Sequence, residues 1–231
     1  MLNYSSFSHL SFDCYGTLID WESGILAAVD KVLQRHRVDL QPAEIIRSYA
    51  GFEAEIEAGD FVAYRHVLRG VMNRFAREFG FLPTEDDLQA LPESVGRWPA
   101  FPDTVQALAR LAKRYRLVIL SNIDDAMFAE TREALGVEFE DIVTAEQIGS
   151  YKPSTRHFEV ALDRLGIRSG QLLHVAQSLY HDHVPAQRLG LKTAWVNRQS
   201  CCPGVGVAPV TRIVPDVEVA DLDGLADLAG V

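Results

Sequence analysis

From Asp103 to Arg198 the chain alternates β-rich runs with helical ones, a pattern that few architectures accept. The β-rich runs are RLVILSN (116–122), EDIVTAE (140–146), LLHVAQS (172–178) and KTAWVNR (192–198). Before and between them stand DTVQALARLAKRY, DAMFAETREALG, STRHFEVALDRLG and DHVPAQRLG, whose apolar residues recur at helical spacing. Asp103 or Thr104 offers an N-cap to the first of these helices, and Pro185 falls in the first turns of the last, where proline is tolerated. Such alternation specifies a parallel sheet joined by right-handed crossovers. HLSFDCYG (9–16) adds an earlier strand running into a turn. Ligands of these sheets sit beyond the carboxyl ends of the strands. Asp13, Ser121 and Gln177 each close a strand, so they are expected to meet at one edge.

Between Trp21 and about Leu91 the alternation stops. GILAAVDKVLQRHRV, PAEIIRSYAGFEAEI and FVAYRHVLRGVMNRFAREFGF are all helical in pattern, with no strand signal among them. That is foreign to a doubly wound sheet and natural for an inserted helical cap. The expected fold is α/β: a Rossmann-like doubly wound parallel sheet core, residues 1–20 and 93–231, with a helical cap over residues 21–92.

Composition narrows the partners. A formal charge of −10 argues against a phosphate-neutralising surface and so against nucleic acid. Hydrophobic residues are 48% and charged residues 23% of the 231, ordinary for a soluble globular protein. No basic, apolar leader precedes Ser11, and no apolar run approaches the ~20 residues of a membrane span. Three cysteines, two of them adjacent at Cys201 and Cys202, make neither a disulfide framework nor a zinc site. A cytoplasmic setting is expected.

Four short motifs carry the chemistry: Asp13 in FDCYGTLID, Ser121-Asn122, Lys152-Pro153, and the stretch from Gln177 to Asp182 in AQSLYHD. Together, over residues 12–182, they resemble the haloacid dehalogenase superfamily. The resemblance implies that Asp13 is a nucleophile, that Ser121 orients the reacting group, and that Lys152 neutralises charge beside it. A carboxylate needs no deprotonation at neutral pH, and a neighbouring ammonium is expected to lower its pKa. Gly16 permits a sharp departure from the strand, and Thr17 offers a hydroxyl near the substrate. Alone, Asp13 also has a plainer reading as a turn or capping acid; the partner motifs favour the nucleophile.

Tyr15 separates two chemistries. Superfamily phosphatases carry a second aspartate at that place, where it protonates the departing alkoxide. General acid help is worth roughly 10²–10⁴ in rate, or about 3–5 kcal/mol of barrier. Halide leaves as a stable anion and needs no proton. FDCYGTL is similar to the aspartate–any–tyrosine–GTL motif of the L-2-haloacid dehalogenases. Gln177 likewise stands where phosphatases have an acid, removing a charge that Mg²⁺ would want. Asp182 matches the dehalogenases' last aspartate, which the resemblance implies activates water; its plainer reading is an acid at a helix N-terminus. The loop is one residue longer than the dehalogenase pattern and lacks its serine and asparagine, with Gln177 and Ser178 as substitutes for positioning water. Phe158 stands where the dehalogenases have a tyrosine. Asn122 and a cap arginine, Arg47 or else Arg65, are the halide-binding candidates, although either arginine also reads as a solvated helix residue.

The reading is a hydrolase that converts a small 2-haloalkanoic acid to the 2-hydroxy acid through an ester on Asp13, without metal or other cofactor. Asp13, Lys152 and Asp182 are its catalytic residues, and Tyr15, Thr17, Arg47, Ser121, Asn122, Gln177 and Ser178 surround the substrate. The alternatives are a Mg²⁺-dependent phosphatase on a small phosphate ester and a non-catalytic binding protein of the same fold. The resemblance also implies a homodimer.

Overall fold

The computed structural model describes residues 2–198 and 211–231; Cys201 and Cys202 lie outside them. Cys14, which follows the candidate nucleophile, is a free and buried thiol. After a single helical turn at Tyr4–Ser6 comes strand β1 (His9–Phe12), every residue of which is buried. Helices α1 (Trp21–Arg35), α2 (Pro42–Glu57), α3 (Tyr64–Glu78) and α4 (Glu85–Gln89) follow without a strand between them. Asp20 starts α1 by accepting the Ser23 N–H at 3.1 Å, and Pro42 opens α2 in a position that needs no N–H.

The core resumes with α5 (Thr104–Leu111), β2 (Arg116–Ser121), α6 (Asp125–Leu135) and β3 (Asp141–Thr144). Next come the single turn α7 (Ala145–Ile148), α8 (Arg156–Leu165), β4 (Leu172–Ala176), α9 (Val184–Arg188) and β5 (Lys192–Val196). A short strand β6 (Val217–Val219) and helix α10 (Leu222–Ala229), neither marked in the sequence pattern, complete it. Gly136 and Gly166 end α6 and α8 in the left-handed conformation.

The strands form one parallel sheet in the order β3-β2-β1-β4-β5-β6. The chain runs outward from β1 through β2 to β3, then returns to place β4 on the other side of β1. That reversal opens the crevice of a doubly wound sheet between β1 and β4. The expected fold class is therefore met. Alternate residues of each strand serve opposite faces. Leu117 and Ile119 join the larger apolar cluster, and Val118 and Leu120 join a second one with Phe158 and Ala161 of α8. The larger cluster also takes in Ile25, Tyr49 and Phe75 of the helical insertion, so insertion and sheet share one interior. No helix among the described residues is long and apolar enough to cross a membrane.

Candidate active site

The turn after β1 is built around Gly16, whose φ of +98° is a conformation that side chains rarely adopt. A Cβ there would come within 3.1 Å of the Trp21 indole. The Cys14 carbonyl accepts the N–H groups of Leu18 at 2.7 Å and Ile19 at 3.0 Å, which folds Thr17 back over the strand end. Thr17 Oγ1 donates to Asp13 Oδ2 at 2.8 Å and accepts the Gln177 N–H at 2.9 Å. One hydroxyl thus ties the ends of β1 and β4 together.

Lys152 is buried, and its ammonium donates to Asp13 Oδ1 at 2.9 Å, Asp182 Oδ1 at 2.6 Å and the Leu120 carbonyl at 2.8 Å. Asn122 holds the lysine backbone: its Oδ1 accepts the Lys152 N–H at 2.7 Å and its Nδ2 donates to the Lys152 carbonyl at 3.2 Å. One amide hydrogen of Asn122 is left for a ligand. Asp182 also takes His174 Nε2 at 3.1 Å, while His174 Nδ1 lies 2.9 Å from Ser11 Oγ. Ser121 Oγ is buried with no partner among the described residues and borders the site cavity. A buried hydroxyl left in that state awaits a ligand or water.

The two carboxylates respond differently to the ammonium they share. Burial pushes Asp13 above the usual carboxylate range, against the pull of Lys152, and Asp182 adds to the upward push. At Asp182 burial also acts upward, but Lys152 and His174 outweigh it and hold that carboxyl well below the usual range. Lys152 itself is raised, since its two carboxylates outweigh the burial that opposes its charge. The expected downward shift at Asp13 is corrected: Lys152 pulls that way, but burial is the larger effect.

These groups line a cavity of about 550 Å³ between the sheet edge and the helical insertion. Tyr15 lines it too, but its hydroxyl lies 2.8 Å from Thr131 Oγ1 and its ring meets Trp98 edge-on at 5.7 Å. Gln177 and Ser178 border the same space. Ser178 Oγ also receives the His181 N–H at 3.2 Å, which begins the helical turn carrying Asp182.

A family model for haloacid dehalogenase-like hydrolases matches residues 7–179. The chain belongs to the haloacid dehalogenase-like hydrolases. It is similar to (S)-2-haloacid dehalogenase 4A of Burkholderia cepacia, with 26% identity over 221 residues, 88% of each chain. It is also similar to glyceraldehyde 3-phosphate phosphatase of Methanothermobacter thermautotrophicus, with 32% identity over 102 residues, 43% of this chain and 45% of the other. Its fold matches the crystal structure of an L-2-haloacid dehalogenase with a TM-score of 0.84 at 24% identity, over 97% of this chain and all of the other.

Not every expected residue of this hydrolase reaches the site. Arg47 is exposed on α2 and does not border the cavity. It projects away because Ile45, Ile46, Tyr49 and Ala50 form the buried face of that helix. Arg65 is no substitute. Its Nε lies 3.3 Å from Asp124 Oδ2, and Asp124 also accepts the N–H groups of Tyr64 and Arg65 at 2.6 and 2.9 Å. Glu53 and Glu57 face the cavity from α2 instead. Sequence reasoning also missed His174 and Ser11. A histidine inside the apolar run LLHVA was the available signal, because a buried imidazole requires partners.

Proposed function

We propose that this hydrolase displaces halide from carbon by direct attack of Asp13, with no metal ion, as expected for conversion of a 2-haloalkanoic acid to the 2-hydroxy acid. An Asp13 oxygen forms a bond to the halogen-bearing carbon while the carbon–halogen bond breaks and halide departs with the electron pair. Water then adds to the Asp13 carboxyl carbon of the resulting ester, which releases the alcohol and regenerates the carboxylate. Asp182 receives the water's proton, and Lys152 balances the charge on both carboxyls. Halide meets the remaining amide hydrogen of Asn122 and the Ser121 hydroxyl. The helical insertion excludes bulk water from the displacement.

The observation that carries this reading is Tyr15. A general acid for an alkoxide would stand there, and a phenol bound to Thr131 stands in its place. Burial raises that phenol further from ionisation. The surroundings also suit a divalent cation poorly. An ammonium already bridges Asp13 and Asp182, and Gln177 supplies an amide where a hard cation would favour a carboxylate. Partial similarity to a phosphatase makes phosphate release the rival outcome.

One experiment separates the two. Chloroacetate and 2-chloropropionate are incubated with enzyme in ¹⁸O-water, with and without chelator, beside an aryl phosphate control. Halide release indifferent to chelator, with label entering Asp13 in a single turnover, is expected. Chelator-sensitive phosphate release without halide would replace this reading with the phosphatase.

A further inference from the structure

A 2-halo acid is an anion, and the cavity offers it little positive charge. Among the described residues lining the cavity Lys152 is the only lysine or arginine, and its three ammonium hydrogens already go to Asp13, Asp182 and the Leu120 carbonyl. Against it stand four acids, Asp13, Asp182, Glu53 and Glu57. The α2 wall of the cavity is therefore acidic where the resemblance led us to expect a guanidinium.

That wall is built rather than incidental. Glu53 and Glu57 are one helical turn apart on α2 and share a face. Glu53 Oε1 accepts hydrogen bonds from Tyr49 Oη at 2.8 Å and Tyr64 Oη at 2.6 Å, which fix the carboxyl in place. Glu57 makes no side-chain hydrogen bond among the described residues. Trp21, Phe61, Tyr64 and Tyr151 border the same cavity, with Phe61 and Tyr151 in ring contact at 5.2 Å. Carboxylates beside aromatic faces are the combination that receives an organic ammonium ion, through charge pairing and attraction to the ring quadrupole. The unpartnered Ser121 hydroxyl, buried on the border of the same cavity, shows that the space is organised for a ligand. A volume of about 550 Å³ lies within the roughly 300–1,000 Å³ of small-molecule sites.

We propose that Glu53 and Glu57 are specificity-determining residues that bind an organic ammonium group, so that the haloalkyl substrate carries positive charge at the end remote from its reacting carbon. This rests on the dehalogenation reading for the reaction and departs from it in the substrate, a haloalkyl ammonium in place of a simple 2-halo acid. Burial, with Glu53 beside it, pushes the Glu57 carboxyl up to about 9; a bound cation is what would draw both glutamates into the ionised form.

The test uses the whole protein and two unreactive probes, choline and acetate, titrated by calorimetry. Choline is expected to bind at least tenfold more tightly than acetate. Glu53→Gln and Glu57→Gln should each weaken choline at least tenfold with the melting temperature held, and Glu57→Asp should recover part of the loss. Tighter binding of acetate, or choline affinity unchanged in both glutamine variants, overturns the proposal. A kinetic arm compares (2-chloroethyl)trimethylammonium, whose hydrolysis gives choline and chloride, with chloroacetate. A higher kcat/KM for the cation supports the proposal; a higher value for chloroacetate rejects it while leaving the dehalogenation reading intact. If choline binds through the glutamates and neither chloro compound is hydrolysed, the ammonium site stands and the dehalogenation reading falls.

Discussion

At the scale of single residues, the site is a competition for one ammonium. Lys152 sits between two carboxylates, and the one that also meets His174, Asp182, keeps its charge more firmly. Tyr15 provides a sharp test. If its hydroxyl has no chemical role, Tyr15→Phe should lose only the bond to Thr131 and about 1 kcal/mol of stability. Its turnover should remain within a few-fold of the parent, as measured by halide release. His157 tests the interior. Its Nε2 lies 3.3 Å from the Ser121 carbonyl, its Nδ1 has no partner among the described residues, and burial pushes its pKa down to about 3. A depressed histidine favours folding while it stays neutral. Its contribution is complete above the unfolded-state pKa of roughly 6.5 and is lost as pH falls toward 3. Over that window the unfolded chain binds one more proton there, a slope of about 1.4 kcal/mol per pH unit. His157→Gln should reduce the pH dependence of the urea-unfolding free energy by about that slope.

Among the elements, the decisive contact joins the helical insertion to the sheet edge. Asp124, just before α6, accepts the first N–H groups of α3 and so caps a helix that begins sixty residues earlier. Helix α3 has no side-chain cap of its own at Ala63, so the distant carboxylate supplies what the local sequence lacks. Asp124→Ala should cost about 1–3 kcal/mol, because two buried N–H groups lose their acceptor. Arg65→Ala should cost less than about 1 kcal/mol, because its side chain is half exposed and the ion pair is solvated. Urea titration of both variants checks the ordering; equal losses would assign the contact to the ion pair.

For the molecule as a whole, one apolar cluster runs through insertion and core alike. Far-UV circular dichroism and tryptophan fluorescence should therefore report a single coincident unfolding transition. Two separated transitions would mean that the helical insertion has an interior of its own.

How much of this was legible beforehand depended on the range of the interactions. The alternation after Asp103, with the earlier strand run at 9–16, gave the parallel sheet and brought Asp13, Ser121 and Gln177 to one edge, because strand and helix periods are local properties of the chain. The edge strand β6 was not legible, since three residues are too few for a period-2 signal. Neither was the choice between Arg47 and the two glutamates of α2. Helical spacing places residues around an axis but does not say which face meets the active site; packing of Ile45, Ile46 and Tyr49 against the interior made that choice. The sequence alone determined the family, because its motifs are short, recognisable stretches at strand ends and in the loops that follow them. Tertiary structure alone decided the charge of the α2 wall, because that wall is set by the rotation of one packed helix.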